Sequence, residues 1–321
     1  MNEPMMTKIK TSFTIRGVEF KNRVFVASGT FGYGDEVREL TDVNRLGGIF
    51  TKSLSWKPRS GNPPPRIVET ASGMLNSIGL ANIGVHAFTE QKLPYLRTLD
   101  TRVIVNIAAS SIQEFCEIIK YLEEQDGIDG YEINVSCPNV KEGGINFGTD
   151  PAMTGEITAT LRKLTEKPLI IKLTPNVTHI SEFARAVESA GADAISVINT
   201  LIGMAVDIKT RKPKLSTVTG GLSGPAIKPV ALAKVYESAK AVKIPIFGIG
   251  GITNVEDAIE FLLVGAAAVQ IGTMNFVDPS ISVKIADGLE VYARENGIPD
   301  ISALIGALDA NVKFSVLQSW L

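Results

Sequence analysis

The stretch Glu132-Ile-Asn-Val-Ser-Cys-Pro-Asn139 is a short apolar alternation that ends in a cysteine and a proline. Pro138 cannot continue an inner strand because it lacks an N–H, so the sequence predicts that Cys137 lies on the following loop. A free thiol has a pKa of roughly 8.5, so a modest fraction is thiolate near neutrality and can accept a proton. Most free cysteines are simply small buried hydrophobic residues. Cys116, inside a helical pattern, fits that alternative, and Cys137 does not.

Polar residues and glycines recur where the other predicted strands end. They are Ser28, Lys52, Asn106, Asn134, Lys172, Asn199, Gly250-Gly251 and Gly272-Thr273. A polar residue at one strand end is ordinary, because the chain often reaches solvent there, but so many on one face indicate a site. Lysine and asparagine side chains suit a polar, planar, anionic ligand. The bare backbone of the last glycines favours a phosphate group, so we expect a phosphorylated cofactor.

The elements that position these residues are short β-branched runs alternating with helix-like segments. The runs are Val24–Ala27, Gly48–Ser53, Val103–Ile107, Tyr131–Val135, Leu169–Leu173, Ala194–Ile198, Ile244–Ile249 and Ala267–Ile271. Stretches with a 3.6-residue period lie between several of them, at Ile112–Gln125, Ile180–Ala190 and Val255–Val264. Eight such units predict an α/β fold, a closed (β/α)8 TIM barrel. An open doubly wound sheet is the alternative, but no G-x-G-x-x-G opening a helix is evident.

Three further segments complete this picture. Ser12–Ile15 and Val18–Phe20 predict an N-terminal hairpin that closes the barrel bottom. Long insertions follow the second and sixth strands, from Leu54 to about Arg102 and from Leu201 to Pro229. Loops after barrel strands form the catalytic face, so we expect both insertions to lie over the site.

Composition excludes several classes of protein. The chain has 321 residues, 45% of them apolar, and a net charge of −2, which argues against a nucleic-acid partner. Two cysteines cannot form a disulfide framework, and no apolar run has the roughly 20 residues of a membrane span. We therefore expect a cytoplasmic protein with no membrane partner. The two histidines, His86 and His179, are isolated, so no metal site is expected.

Four motifs carry a resemblance to a known family. They are Asn76-Ser-Ile-Gly-Leu80, Asn134-Val-Ser-Cys-Pro-Asn139, Lys172-Leu-Thr-Pro175 and Gly248-Ile-Gly-Gly-Ile252. In this order, and from about Thr11 onward, the chain closely resembles dihydroorotate dehydrogenases, the flavin enzymes of pyrimidine (UMP) biosynthesis. The resemblance implies a single FMN-binding (β/α)8 barrel domain over residues 1–321, with one FMN per chain. Dihydroorotate would be oxidised to orotate, with Cys137 taking a ring proton and FMN a hydride.

The resemblance also assigns roles to the strand-end residues. Catalysis would fall to Cys137. Substrate binding would involve Lys52, Asn76, Ser77, Ile78, Gly79, Leu80, Asn134, Asn199 and Thr200. FMN binding would involve Ser28, Lys52, Ser53, Asn106, Asn134, Lys172, Ile198, Gly224, Gly250, Gly251, Gly272 and Thr273. Lys52 would face the orotate carboxylate, and Lys172 would stabilise the charge on the reduced flavin. Gly143-Gly144 would let the loop after Cys137 close over substrate, although a plain surface turn fits equally well.

The continuation Cys137-Pro-Asn-Val-Lys-Glu-Gly-Gly144 to Asn146-Phe-Gly148 looks like the NAD-linked cytosolic class. That class pairs with an electron-transfer subunit, and the implied assembly is a heterotetramer of two catalytic and two electron-transfer chains. An iron–sulfur cluster usually takes four cysteines, and the chain has two. FAD and the cluster are therefore expected only on the partner subunit.

Three alternatives stay open at this point. The first is the fumarate-linked, homodimeric cytosolic class. The second is a related flavin barrel acting on uracil-like rings, which the carboxylate preference of Lys52 would separate. The third is a non-redox phosphate-binding aldolase or isomerase with Lys172 as a Schiff-base lysine; such a protein would be colourless, whereas a flavoprotein is yellow.

Overall fold

Eight parallel strands close into a barrel in this computed structural model, which describes residues 9–135, 141–142 and 145–310. The strands, first to eighth, are Val24–Val26, Gly48–Phe50, Arg102–Ile107, Gly130–Asn134, Leu169–Leu173, Ala194–Val197, Ile246–Ile249 and Ala268–Ile271. Each pairs with the next along the chain, and the eighth pairs with the first. The predicted (β/α)8 barrel is confirmed.

Helices cover the outside of the barrel. The α-helices are Val85–Gln91, Leu93–Leu96, Ile112–Glu123, Pro151–Arg162, Ile180–Ser189, Lys228–Ala241, Val255–Leu263 and Ile281–Glu295. Short 3₁₀ turns are Asp35–Val37, Val43–Arg45, Phe147–Thr149, Pro225–Ile227, Thr273–Phe276 and Ile301–Leu304. The three helices predicted from periodicity occur within two residues of their expected ends. Two of them begin at side-chain caps, in which Ser111 accepts from the backbone N–H of Glu114 and Asn254 from that of Asp257.

The N-terminal hairpin closes the amino-terminal end of the barrel, as predicted. Its strands, Phe13–Ile15 and Val18–Phe20, turn at Arg16 and Gly17, both of which have positive φ. Phe20 packs into an apolar layer inside the barrel, formed by Phe25, Phe50, Ile104, Ile170, Ala194, Phe247 and Ala268. Arg16 bonds to Glu166 and Asp193, just before the fifth and sixth strands. The hairpin thereby fixes the end of the barrel opposite the strand-end residues.

The two insertions build one small sheet over the other end of the barrel. Its antiparallel order is Leu201–Met204, Thr219–Ser223, Gly73–Asn76 and Ile67–Thr70. Two further short pairs join Val206–Asp207 to Lys212–Pro213 and Lys141–Glu142 to Ile145–Asn146. The predicted insertions after the second and sixth strands are confirmed, and their pairing to each other fixes both over the barrel mouth.

No helix in the described part of the chain is long and apolar enough to cross a membrane.

Candidate active site

A cavity of about 1100 Å³ opens between the barrel mouth and the insertion sheet. Its lining includes most of the residues singled out from the sequence. They are Ser28, Lys52, Ser53, Asn76, Ser77, Ile78, Gly79, Leu80, Asn134, Lys172, Ile198, Asn199, Thr200, Gly224, Gly250, Gly251, Gly272 and Thr273. Single-ligand pockets typically measure about 300–1,000 Å³, so this cavity suits a nucleotide-sized cofactor together with a small substrate.

Strand periodicity explains why a polar layer lies directly under the cavity. Residues two positions apart on a strand face the same side. The residues two positions after members of the apolar layer include Lys52, Asn106, Lys172, Ser196 and Gln270. The barrel interior is thus apolar towards the hairpin and polar towards the mouth, where a polar ligand would be received.

Lys172 and Glu132 form a buried ion pair in this polar layer. Lys172 Nζ lies 3.5 Å from Glu132 Oε2 and 3.2 Å from Ser28 Oγ, which it reaches across the barrel. The Glu132 side chain is fully buried. Asn106 Nδ2 donates to Glu132 Oε2 at 2.5 Å, and Gln270 Nε2 donates to Glu132 Oε1 at 3.0 Å. Several donors therefore compensate the buried carboxylate, as a buried charge requires.

Lys52 is the contrasting lysine of the site. It lines the cavity and is half-buried, and its ammonium group makes no hydrogen bond or ion pair with any residue in the described part of the chain. Arg66 and Glu69 also line the cavity, on the insertion side. The described cavity wall therefore carries three cationic side chains and one carboxylate, which favours an anionic ligand. An ammonium group without a protein partner is the natural position for the ligand's negative charge.

Amide side chains meet at one side of the cavity. Asn199 Nδ2 donates to Asn134 Oδ1 at 3.3 Å, and Asn199 Oδ1 accepts from the Thr200 N–H at 2.8 Å. Asn76 is brought towards Thr200 by the insertion sheet, where it pairs with Gly221. Each amide both donates and accepts, so the group matches a ring edge that alternates N–H and C=O.

The loop from Asn76 to Leu80 is held in an unusual backbone conformation. Gly79 has φ +74°, and a Cβ there would lie 2.6 Å from Asn62, so only glycine fits. Leu80 also has a positive φ, 58°, which a branched side chain rarely adopts. Residues kept in such conformations cluster at ligand sites and need support from their surroundings. The hydroxyl of Ser77 is buried with no hydrogen-bond partner in the described structure, so it has donor and acceptor capacity left for a ligand.

Asn82 supplies the support for this loop. Its Nδ2 donates to Leu80 O and to Ser55 Oγ, each at 2.8 Å, while its Oδ1 accepts from Gly84 N at 2.8 Å. Ser55 follows the second barrel strand, so Asn82 ties the strained loop to the same strand end that carries Lys52. The sequence reasoning missed Asn82, because an asparagine after a glycine-rich turn carries no distinctive signal.

Glycines form a cradle at the other side of the cavity. Gly224, Gly250 and Gly251 have φ of +94°, +132° and +73°, and a Cβ on Gly251 would lie 2.8 Å from Lys228 Cβ. At Gly272 the nearest protein atom to an added Cβ is 3.7 Å away, so the space beside it remains open to the cavity. These loops follow the sixth, seventh and eighth strands, where barrels commonly bind phosphate. The cradle therefore fits the phosphorylated cofactor expected from the sequence.

Asp257 fixes the cradle from behind. It accepts from Lys228 Nζ at 2.6 Å and from the Thr253 N–H at 2.8 Å. Burial would raise the pKa of Asp257, but the hydrogen bonds from Lys228 and Thr253 hold it below its usual value. The loop of Gly250 and Gly251 is thereby attached to the start of the helix Lys228–Ala241.

Some predicted residues lie elsewhere. Asn106 is fully buried beneath the cavity and contacts Glu132 rather than the lining. Cys137 and the Gly143-Gly144 pair lie outside the described residues. Cys116 is a free thiol in the helix Ile112–Glu123, and burial raises its pKa, which disfavours the thiolate. His86 and His179 are exposed, and no His, Cys, Asp or Glu group that could hold a metal occurs in the described ranges.

Glu132 and Gln270 are functional candidates that the sequence reasoning overlooked. Both lie inside strands whose residues are all buried. A charged residue in the middle of an apolar barrel strand was the available signal, since such residues are rarely fully buried unless paired. Arg66 was also missed; it lies in a proline-rich segment where the sequence predicted no contact with the site.

The fold and site define a (β/α)8 barrel with a large cavity at the carboxyl ends of its strands, lined by three cationic side chains and one carboxylate in the described structure. The family model described as dihydroorotate dehydrogenase matches residues 10–292. The chain belongs to the dihydroorotate dehydrogenase family.

Curated relatives cover nearly the full chain. A protein of Geotalea uraniireducens (strain Rf4) named "Dihydroorotate dehydrogenase B (NAD(+)), catalytic subunit" is 54% identical over 94% of this chain and 99% of its own length. A protein with the same name in Pelobacter propionicus is 54% identical over 92% of this chain and 97% of its own length. Another in Geobacter sulfurreducens is 53% identical over 95% of this chain and 100% of its own length. The resemblance read from the four motifs is confirmed.

Proposed function

We propose that this chain oxidises dihydroorotate to orotate as the FMN-binding catalytic subunit of an NAD-linked, cytoplasmic dihydroorotate dehydrogenase. The observation that carries the proposal is one cavity of about 1100 Å³ that contains a glycine cradle and Lys52, whose ammonium group has no protein partner among the described residues. The two features suit a substrate carboxylate and a cofactor phosphate, respectively. The names of relatives at 54% identity support the same reaction.

The residues present fit FMN, and their positions suggest how it would be held. Gly224, Gly250, Gly251, Gly272 and Thr273 would bind the phosphate through backbone N–H groups. Ser28, Ser53, Lys172 and Ile198 would border the flavin ring at the barrel mouth. When bound, FMN supplies the two-electron acceptor for the reaction. Asn106 would act from beneath, through Glu132 and Lys172.

The chain's own groups then bind and deprotonate the substrate. Lys52 would hold the carboxylate by a charge-assisted bond. The amide edge of the ring would form hydrogen bonds with Asn76, Asn134, Asn199 and Thr200. The backbone of Ser77–Leu80 would enclose the ring. Cys137 would take the proton from the ring carbon as general base. Its place three residues after Asn134, which lines the cavity, supports this role.

The proposal includes a second subunit. The relatives are named as catalytic subunits, which implies a partner. The chain has two cysteines, too few for an iron–sulfur cluster that usually takes four. Electrons would therefore leave for NAD through a partner that carries FAD and the cluster, in a heterotetramer of two chains of each kind.

The test is substrate selectivity of the purified, FMN-loaded chain with a soluble artificial electron acceptor. We expect orotate formation from dihydroorotate and very little oxidation of dihydrouracil, which lacks the carboxylate. Equal use of both compounds would favour a uracil-type reductase. A chain that binds no flavin at all would reject the proposal and favour the colourless aldolase or isomerase.

A further inference from the structure

The buried carboxylate of Glu132 touches neither substrate nor cofactor in the function proposed above, where it only links Asn106 to Lys172. Its side chain is fully buried, yet it lies in the layer immediately beneath the cavity lining. In the described structure its ion pair is with Lys172, whose side chain is 6% exposed and does line the cavity. A charged group buried at this depth is costly to keep, so a purely packing role would be better served by an apolar residue.

The surroundings of Glu132 hold its carboxyl group in place. Asn106 and Gln270 donate to its two oxygens, and Gln270 also donates to Ser196 Oγ at 3.0 Å. The third and eighth strands thus contact the carboxylate directly, and Ser196 of the sixth strand holds Gln270 in turn. The carboxyl group is thereby held 3.5 Å behind the lysine that would face the flavin.

We propose that Glu132 is a positioning residue that sets the reduction potential of the bound flavin by fixing Lys172 and offsetting its positive charge. The inference rests on the proposed function, because it requires FMN in the cavity. A lone Lys172 cation would strongly favour the negative charge that the flavin gains on reduction. With Glu132 behind it, the pair is neutral overall, so the reduced form is favoured less. Electrons then leave more readily for the next acceptor.

The substitution Glu132→Gln tests this directly because it removes the charge and keeps the shape. Asn106 Oδ1 and Gln270 Oε1 are buried without hydrogen-bond partners in the described structure, so either amide can turn its oxygen towards the new NH₂ group. In this variant we expect FMN to bind more tightly in its reduced form. The dissociation constant of oxidised FMN divided by that of reduced FMN should rise by about tenfold or more. For a two-electron couple, tenfold corresponds to about 30 mV upward in midpoint potential.

Four companion variants separate electrostatics from structure. Lys172→Met should move the ratio in the opposite direction, and the double variant of both positions should lie within about threefold of wild type. Glu132→Asp keeps the charge and should keep the potential. Ser196→Ala removes a neutral hydrogen bond of the same network, so it should leave the potential unchanged even if it lowers thermal stability.

The outcomes distinguish this inference from the proposed function. If wild type binds FMN and oxidises dihydroorotate but Glu132→Gln has the wild-type potential, the inference fails and the function stands. If Glu132→Gln does not fold, the double variant decides, because a double variant as low in potential as Lys172→Met would show that Glu132 has no effect. If wild type binds no FMN, the proposed function itself fails.

Discussion

At the scale of single residues, two lysines of the same site have opposite surroundings. Lys172 is paired with the buried Glu132, whereas Lys52 has no partner in the described structure and faces the cavity. The sequence predicted both lysines, because each directly follows a short apolar run. It could not predict the difference between them, since that depends on Glu132 reaching across from a neighbouring strand. These surroundings fit the proposed roles, in which Lys52 would bind the substrate and Lys172 would contact the cofactor.

The first prediction concerns the base. Cys137→Ala should leave FMN and orotate bound but slow flavin reduction by dihydroorotate by roughly 10²–10⁴-fold, the usual worth of a general base. Cys137→Ser should retain some activity, with its rate shifted to higher pH because a hydroxyl is a far weaker acid. Stopped-flow absorbance of the flavin measures both. Cys116→Ala is the matched control and should react as wild type; a wild-type rate in Cys137→Ala would remove that residue from the mechanism.

The second prediction concerns the substrate's charge. Lys52→Met would leave a carboxylate without its charge-assisted partner, at a cost of about 1.5–3 kcal/mol. We expect kcat/KM for dihydroorotate to fall roughly 10- to 150-fold. The slow oxidation of dihydrouracil should change much less. Lys57→Met, at an exposed position near the same strand end, is the control. An equal loss for both compounds would show that Lys52 does not read the carboxylate.

At the scale of elements, the sequence predicted the barrel well and the insertion sheet poorly. Each barrel strand contains a short apolar run, so its existence and its polar end were visible. The insertion sheet instead pairs Gly73–Asn76 with Thr219–Ser223, which are distant in sequence. Thr219–Ser223 contains two glycines, which have low strand propensity. The local sequence therefore does not predict a strand there. Only the packed fold brings Asn76 beside Thr200.

The third prediction tests the hydrogen bonds that support the loop from Asn76 to Leu80. Asn82→Ala removes the hydrogen bonds that hold Leu80 and Ser55, so the strained loop should lose its order. We expect a loss of about 1–3 kcal/mol in unfolding free energy and a clear rise in KM for dihydroorotate, with FMN affinity unchanged. Asn22→Ala is the control, because Asn22 makes comparable bonds at the opposite end of the barrel. A stability loss without any change in KM would contradict a role in positioning the loop.

The fourth prediction tests the glycine cradle. Gly251→Ala would force a Cβ against Lys228 and the Gly224 carbonyl, 2.9 Å away, and would narrow the space for the phosphate. FMN affinity should fall by at least about tenfold, which is about 1.4 kcal/mol. Gly297→Ala is the matched control, since its φ of +65° carries similar strain but no atom lies within 4 Å of the new Cβ. Flavin titration of both apoproteins decides; equal affinities would place the phosphate elsewhere.

At the scale of the whole molecule, the two ends of the barrel have separate tasks. The hairpin and its apolar layer close one end and stabilise the fold. The other end carries the cavity, the insertion sheet and nearly every residue of the candidate site. Under the proposed function, this end of the chain would hold the site at which the substrate is oxidised. The proposal assigns the transfer to NAD to another polypeptide, so we expect the chain alone to perform only the first half of the reaction.

The most direct test is anaerobic mixing of the isolated, FMN-loaded chain with dihydroorotate in the presence of NAD. Absorbance would follow the flavin band, orotate and NADH together. We predict rapid loss of the flavin band with about one orotate formed per flavin and no appreciable NADH until a subunit with FAD and an iron–sulfur cluster is added. A flavin band that stays unchanged while FMN remains bound would contradict dihydroorotate oxidation, and rapid NADH formation by the chain alone would contradict the two-subunit arrangement.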